Sequence, residues 1–336
     1  MSGTYRAIQL QRFAESFRAA TEIVTLDLTD PAPGQVLVRN HYCGINGIFD
    51  TQIARNAVDY VKIGLPTLTG VEAIGVIVAV GEGVADFAVG DAVVTTRFPG
   101  GYREWNLADQ GHFVKVPELA PEWLALASTG VSAAMALEYI GAVEDGETVA
   151  ISAAAGGLGH FMVQLAAQRG CHVVAVCGGS DKAAFARDLG AARVIDYRSE
   201  SVTDILAVEY PDKLDVAIDT VSGTIFDAFL KNVAPHGRVV VGGAAADLEG
   251  RPEIVTQPRI AHSLYYKGAS VRGFMNGLLT EQWPAARERV FSAYSSGDLK
   301  VRFDDRKFTG LEGIFDGIER LLSGQSIGKV IVDLRP

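Results

Sequence analysis

The chain has 336 residues, with 30 Lys and Arg against 40 Asp and Glu, for a formal net charge of -10 at pH 7. A single core stops growing beyond roughly 250–300 residues, so two domains are expected. An acidic chain without Lys/Arg runs argues against nucleic acid or an anionic membrane as a main partner, and 48% hydrophobic with 21% charged residues argues against long disordered tracts.

Only three cysteines are present, too few for a disulfide framework, which points to a reducing, cytoplasmic compartment. Met1 to Leu10 carries no basic stretch leading into an apolar segment. Apolar runs such as Ala73 to Val80 fall well short of the ~20 residues a spanning helix needs.

Up to about residue 125 the pattern is strand-like and rich in turns. Gln35 to Cys43 and Val71 to Val80 are β-branched runs bounded by Pro or Gly, and Val84 to Val94 adds a Gly-Asp turn and a short apolar strand. From about Glu147, strands and helices alternate: strand Thr148–Ser152, helix Leu158–Arg169, strand His172–Val176, helix Lys182–Leu189, strand Ala192–Asp196. The alternation continues through Asp215–Asp219 and Arg238–Val241, which predicts βαβ units and a parallel sheet. Beyond Asn276 come helices near Gln282–Ser295 and Leu311–Leu322 and two strands, the last being Lys329–Asp333. The pattern is therefore α/β: a β-rich part up to about 125, a parallel-sheet part up to about 275 and a mixed tail beyond, with pattern changes at both junctions.

Directly after the strand Thr148–Ser152 stands Ala153-Ala-Ala-Gly156-Gly157-Leu158-Gly159, followed by a helix. On the fingerprint G-x-G-x-x-G the three positions are Ala154, Gly156 and Gly159, so alanine replaces the first glycine. Gly156 lets backbone approach a pyrophosphate, and Gly159 lets the helix pack closely on its strand. N–H groups at the helix start, with its dipole, then hold phosphate. The second strand ends Val176-Cys-Gly-Gly-Ser180-Asp181-Lys182, with no carboxylate at its tip to accept from a ribose 2′-hydroxyl. A hydroxyl and an ammonium there suit a 2′-phosphate, and Asp181 reads as the N-terminal acid of the next helix. NADPH is expected over NADH.

The cysteines are Cys43, Cys171 and Cys177, so no C-x-x-C pair exists and a four-Cys structural zinc site is excluded by count. His41 and Cys43 share a strand face, but no third ligand stands at a familiar spacing.

Over essentially its full length the chain resembles the medium-chain dehydrogenase/reductase superfamily, in its zinc-free, quinone oxidoreductase-like branch. The match is carried by Tyr42-Cys-Gly-Ile-Asn46-Gly-Ile-Phe-Asp50, Gly70-Val-Glu-Ala-Ile-Gly75 to Gly81, Val89-Gly-Asp91, Ala153 to Gly159, Lys182 to Gly190, Val194-Ile-Asp-Tyr197 and Gly328-Lys-Val. Zinc-dependent members carry a cysteine ligand where this chain has Asn46 and a histidine ligand where it has Val71, so the resemblance implies no metal. It further implies a GroES-like substrate domain of 1–125 and 276–336, a doubly wound, Rossmann-like cofactor domain of 126–275 inserted into it, and an active site in the cleft between them. By position, Lys182 and Tyr197, with Ser180 beside them, resemble the contacts to the 2′-phosphate of NADPH. Thr220, Gly242, Gly243, Phe274, Met275 and Asn276 resemble positions lining the cofactor, and Ser326 stands where the family carries an Asn. The stretch Tyr266 to Asn276 is similar to prostaglandin-reductase-like and 2-alkenal-reductase-like enzymes.

The expected reaction is hydride transfer from NADPH to the β-carbon of an α,β-unsaturated carbonyl or to a quinone, which needs no strong Lewis acid. Candidate donors to the carbonyl oxygen are Asn46 and Tyr265 or Tyr266, and Tyr60 is a candidate substrate contact. A short-chain dehydrogenase is excluded, because no tyrosine has lysine four residues later. An enoyl-thioester reductase, with Arg251, Arg259 and Lys267 as scattered bases, and a catalytically silent NADPH-binding protein remain alternatives. The strand Ser270–Met275 is expected at a sheet edge, where a homodimer would pair.

Overall fold

The computed structural model describes residues 3–58, 62–247 and 253–335. Two compact units are present, Met1–Ser128 with Phe303–Pro336, and Thr129–Arg302, so the second is inserted into the first. The return to the first unit falls at 302/303, later than the expected 275/276. The helix Trp283–Ser295 packs on Val131–Met135, and Gln164 bonds both the N–H and the C=O of Lys300 (2.8 and 2.9 Å). Amphipathic helices do not announce their partner in sequence, so the pattern change near 276 was not the boundary.

In the outer unit the β-branched runs build antiparallel sheets. Gln35–Gly44 pairs with Glu72–Val80, Trp105–Asp109 and Ile331–Asp333, and Glu72–Val80 continues through Ala92–Thr95 to Phe113–Lys115. A separate three-stranded sheet runs Thr21–Leu28, Gly3–Leu10, Thr67–Leu68. The core joins Ile8, Leu10, Ile45 and Ile53 to Ile314 and Ile318 of the helix Glu312–Leu322. The expected second tail strand is reduced to two isolated bridges, Phe303 to Lys329 and Thr309 to Asp333.

The inserted unit is the parallel sheet the alternation predicted. Its order is Arg193–Asp196, His172–Cys177, Thr148–Ile151, Leu214–Asp219, Val233–Val241, Ser270–Gly273, every neighbour parallel. In chain order that is 3-2-1-4-5-6, the doubly wound arrangement whose ligand crevice opens beyond the strand ends, where strands 1 and 4 meet. Ser270–Gly273 is the edge strand and stops two residues before Met275.

One helical stretch among the described residues, Pro121–Ile140, is long and apolar enough to cross a membrane, and most of it is buried inside the protein. Sequence reading by apolar runs passed over it because small and polar residues interrupt it.

Candidate active site

In the inserted unit the chain leaves Thr148–Ile151 through Ser152 and Ala153, and Ala153 takes the left-handed φ of +47°. Ala154 is fully buried, its N–H donating to Val176 O (3.1 Å), and its own φ is ordinary. The strained position has thus moved one residue upstream, and a methyl group is tolerated where the fingerprint has its first glycine. Gly159 is a steric necessity: a Cβ there would lie 2.7 Å from Ala154 Cα and overlap Ala153 O. The helix Gly159–Gln168 can therefore start directly against the strand exit. Its N-terminus at Gly157 and Leu158 has no side-chain cap, which makes those N–H groups available to an anion.

His160, to which the sequence pattern assigned no role, locks this loop from the protein side. The ring is fully buried; Nε2 accepts from Arg302 N–H (3.4 Å), so Nδ1 carries the hydrogen and donates to Gly156 O (2.9 Å).

A second corner forms where His172–Cys177 ends. Gly179 has φ +100°, and its N–H donates to Asp196 Oδ1 (2.7 Å), which also accepts Arg198 N–H (3.0 Å). These two bonds hold the Asp196 carboxyl below its ordinary pKa. Tyr197 lays its half-exposed ring against Gly178, leaving no room for a Cβ beneath it. Ser180 and Asp181 open the helix Ser180–Asp188, with Asp181 in the first turn as expected, and Lys182 follows half-buried. Arg198 was not singled out from sequence; its Nη1 reaches within 3.5 Å of where a Gly179 Cβ would stand. Tyr197 and Arg198 thus close on the Gly178–Gly179 pair, which Ser180 follows directly in the chain with Lys182 two positions later.

The switch point itself is tied by a buried carboxylate. Asp219, at the end of Leu214–Asp219, accepts from Ser152 Oγ (2.7 Å), Val221 N–H (2.9 Å) and Ser222 N–H (3.0 Å), while Ser152 Oγ accepts Thr220 N–H (2.8 Å). Thr220, Gly242, Gly243 and Phe274 come together beside it: a Cβ on Gly242 would sit 3.5 Å from both Thr220 and Phe274, and one on Gly243 would press on Thr220 O at 2.9 Å. Met275 is partly exposed. Asn276 donates from Nδ2 to Ser132 Oγ (2.8 Å), which leaves its Oδ1 buried without a partner. Tyr265 and Tyr266 lie on the short helix Ala261–Lys267, 81% and 77% exposed, touching each other edge-on at 5.4 Å. Tyr60 lies outside the described residues, as does Arg251.

In the outer unit Asn46 begins the helix Gly47–Ala54, directly after the strand Gln35–Gly44. It is half-buried, donates from Nδ2 to Glu72 Oε1 (3.0 Å) and accepts at Oδ1 from Lys329 Nζ (3.2 Å). Glu72 and Lys329 are themselves buried and ion-paired. One helical turn on, Asp50 accepts a 2.5 Å bond from Tyr102 Oη, and burial pushes its carboxyl up to about 7.

Residues 32–118 match the family model described as "Alcohol dehydrogenase GroES-like domain" and residues 157–292 the one described as "Zinc-binding dehydrogenase". The chain is 33% identical to prostaglandin reductase-3 of Mus musculus, covering 98% of this chain and 90% of that protein. It is 32% identical to a probable quinone oxidoreductase of Leishmania amazonensis, covering 98% of each. The Escherichia coli quinone oxidoreductase, solved with NADPH, superposes with a TM-score of 0.83 at 25% identity, covering 99% of this chain and all of that one. The chain belongs to the medium-chain dehydrogenase/reductase superfamily.

As a member of that superfamily it is an oxidoreductase with a GroES-like unit and a Rossmann-like unit. One of the matching descriptions names zinc. Among the described residues no group of three or more His, Cys, Asp and Glu side chains is placed to hold a metal ion.

Proposed function

We propose that the protein is a zinc-independent, NADPH-dependent reductase that adds hydride to the β-carbon of an α,β-unsaturated carbonyl compound or to a quinone. The observation that carries this is the corner at Gly178 and Gly179. It offers a hydroxyl, an ammonium, a phenol and a guanidinium, from Ser180, Lys182, Tyr197 and Arg198, and its one strand-end carboxylate, Asp196, is committed to backbone N–H groups. Such a set fits a 2′-phosphate.

The remaining cofactor residues fit the same ligand. Gly156, Gly157, Leu158 and Gly159 would hold the pyrophosphate at the helix start, with Ala154 behind them as buried support. Thr220, Gly242, Gly243, Phe274 and Met275 would line the rest. Among the described residues nothing requires glycine at 242, whose Cβ would make only ordinary contacts, so the space fits an approaching ligand. The orphaned Asn276 Oδ1 is an acceptor for a carboxamide N–H.

NADPH, when bound, supplies the hydride. Asn46 would donate its remaining Nδ2 hydrogen to the carbonyl oxygen as negative charge gathers there, and Tyr265, Tyr266 and Tyr60 are further candidates at the substrate. The three cysteines are buried free thiols, which supports a reducing, cytoplasmic setting. The place of Ser270–Gly273 at the edge of its sheet, where a second copy could pair, supports a homodimer.

The test is NADPH oxidation across quinones, alkenals, cyclic enones and enoyl-CoA esters, with and without a chelator. Consumption with enones or quinones, unchanged by the chelator, is expected. Alcohol oxidation alone, or loss of activity on chelation, would refute the assignment.

A further inference from the structure

We propose that Lys329 and Glu72 are positioning residues for the Asn46 amide, an internal ammonium and carboxylate that lock it in one orientation and polarise it. The proposal rests on Asn46 being the donor at the substrate oxygen.

The ammonium is buried, with Lys329 3% and Glu72 0% exposed. It meets three oxygens: Ile45 O (3.0 Å), Asn46 Oδ1 (3.2 Å) and Glu72 Oε1. Three hydrogens therefore find three acceptors, and the Nζ position is fixed by chemistry as well as by packing. The amide has no freedom to flip. Lysine offers no acceptor, so it must face Oδ1; an ionised glutamate offers no donor, so it must face Nδ2. The reversed amide would set NH₂ against the ammonium and oxygen against carboxylate, two repulsions in place of two bonds.

Two observations separate this arrangement from a pair kept for stability. Glu72 Oε2 is buried without a hydrogen-bond partner, so the carboxylate is not satisfied as a stability device would be. Gly44 makes room for it, since any Cβ at Gly44 would overlap the Glu72 carboxyl. The strand end is thus shaped to bring a charged group onto the amide. The amide bonded at Oδ1 to a cation is also a stronger donor at Nδ2, because bonds in such a chain polarise one another. The second Nδ2 hydrogen is the one left for a ligand oxygen.

The experiment compares the full-length wild type with Lys329→Met and with the double variant Lys329→Met/Glu72→Gln, which removes both members of the ion pair together and so strands neither of them. Steady-state enone or quinone reduction is measured together with the side-chain amide resonances of ¹⁵N-labelled Asn46, assigned by their loss in Asn46→Ala. Both variants should lose about tenfold or more in kcat, with KM for NADPH within about twofold. The loss should vanish when Asn46 is already alanine, and the amide resonances should shift. A double variant with wild-type kcat and unmoved amide resonances would overturn the proposal. If the wild type reduces no enone or quinone, the functional assignment falls, and the amide resonances alone still decide whether the pair positions Asn46.

Discussion

Replacing Asp50 by Asn should make folding stability less dependent on pH, by an amount the structure sets. Asp50 is 1% exposed and its carboxyl is pushed from an ordinary 3.8 up to about 7, chiefly by burial. The Tyr102 hydroxyl and the Lys329 charge pull the other way and keep the shift from being larger. In the unfolded chain the same group loses its proton near 3.8. Between about pH 4 and pH 7 the folded protein therefore binds more protons than the unfolded one, and stability falls as pH rises through that window. The penalty is absent below it and complete above it. At 1.36 kcal/mol per pKa unit, the full effect is about 4 kcal/mol.

Asparagine keeps the size and still accepts the Tyr102 hydrogen bond, so it removes the charge and little else. Urea unfolding of both proteins at several pH values between 4 and 8 gives the stability difference directly. The variant should gain on the wild type as pH rises from 4 to 7 and hold that gain at 8. A difference that stays flat across the range would show that Asp50 is ionised at its ordinary pH, and the burial argument would fail.

Four other outcomes follow from packing and charge. Gly159→Ala forces the helix off the strand exit and should weaken NADPH binding about tenfold or more, measured by titrating cofactor fluorescence. Arg198→Ala should raise Kd for NADPH and leave Kd for NADH unchanged; equal effects on both would remove Arg198 from the 2′-phosphate corner. Asp219→Ala strands the Ser152 hydroxyl and two N–H groups and should destabilise the protein by about 3–5 kcal/mol, read as a lower thermal midpoint. Light scattering should return the mass of a dimer, and a monomer mass would end the edge-pairing proposal.

The local features were legible because they are local. The alternation after Glu147, the glycine loop opening a helix and the strand end at Gly178–Lys182 are set by periodicity and by residues within a few positions of one another. Asn46 was found by resemblance, and its chemistry could not be read from its neighbours in sequence. Its partners are Glu72 and Lys329, 26 and 283 residues away. Arg198 and His160 were passed over for the same reason: each acquires its role from a turn whose shape depends on another strand's end. The Tyr265–Tyr266 pair shows the reverse, two aromatic residues that the sequence offered as candidate donors to the carbonyl oxygen and that the fold leaves largely exposed. The sequence by itself determined an α/β scaffold with a dinucleotide-type glycine loop, because strand and helix periods and a glycine-to-helix junction need no distant contact to be recognised. Only the tertiary structure decided where the inserted unit ends, which carboxylate titrates near neutrality and what holds the Asn46 amide, because burial and charge pairing belong to residues that meet only after the chain has closed on itself.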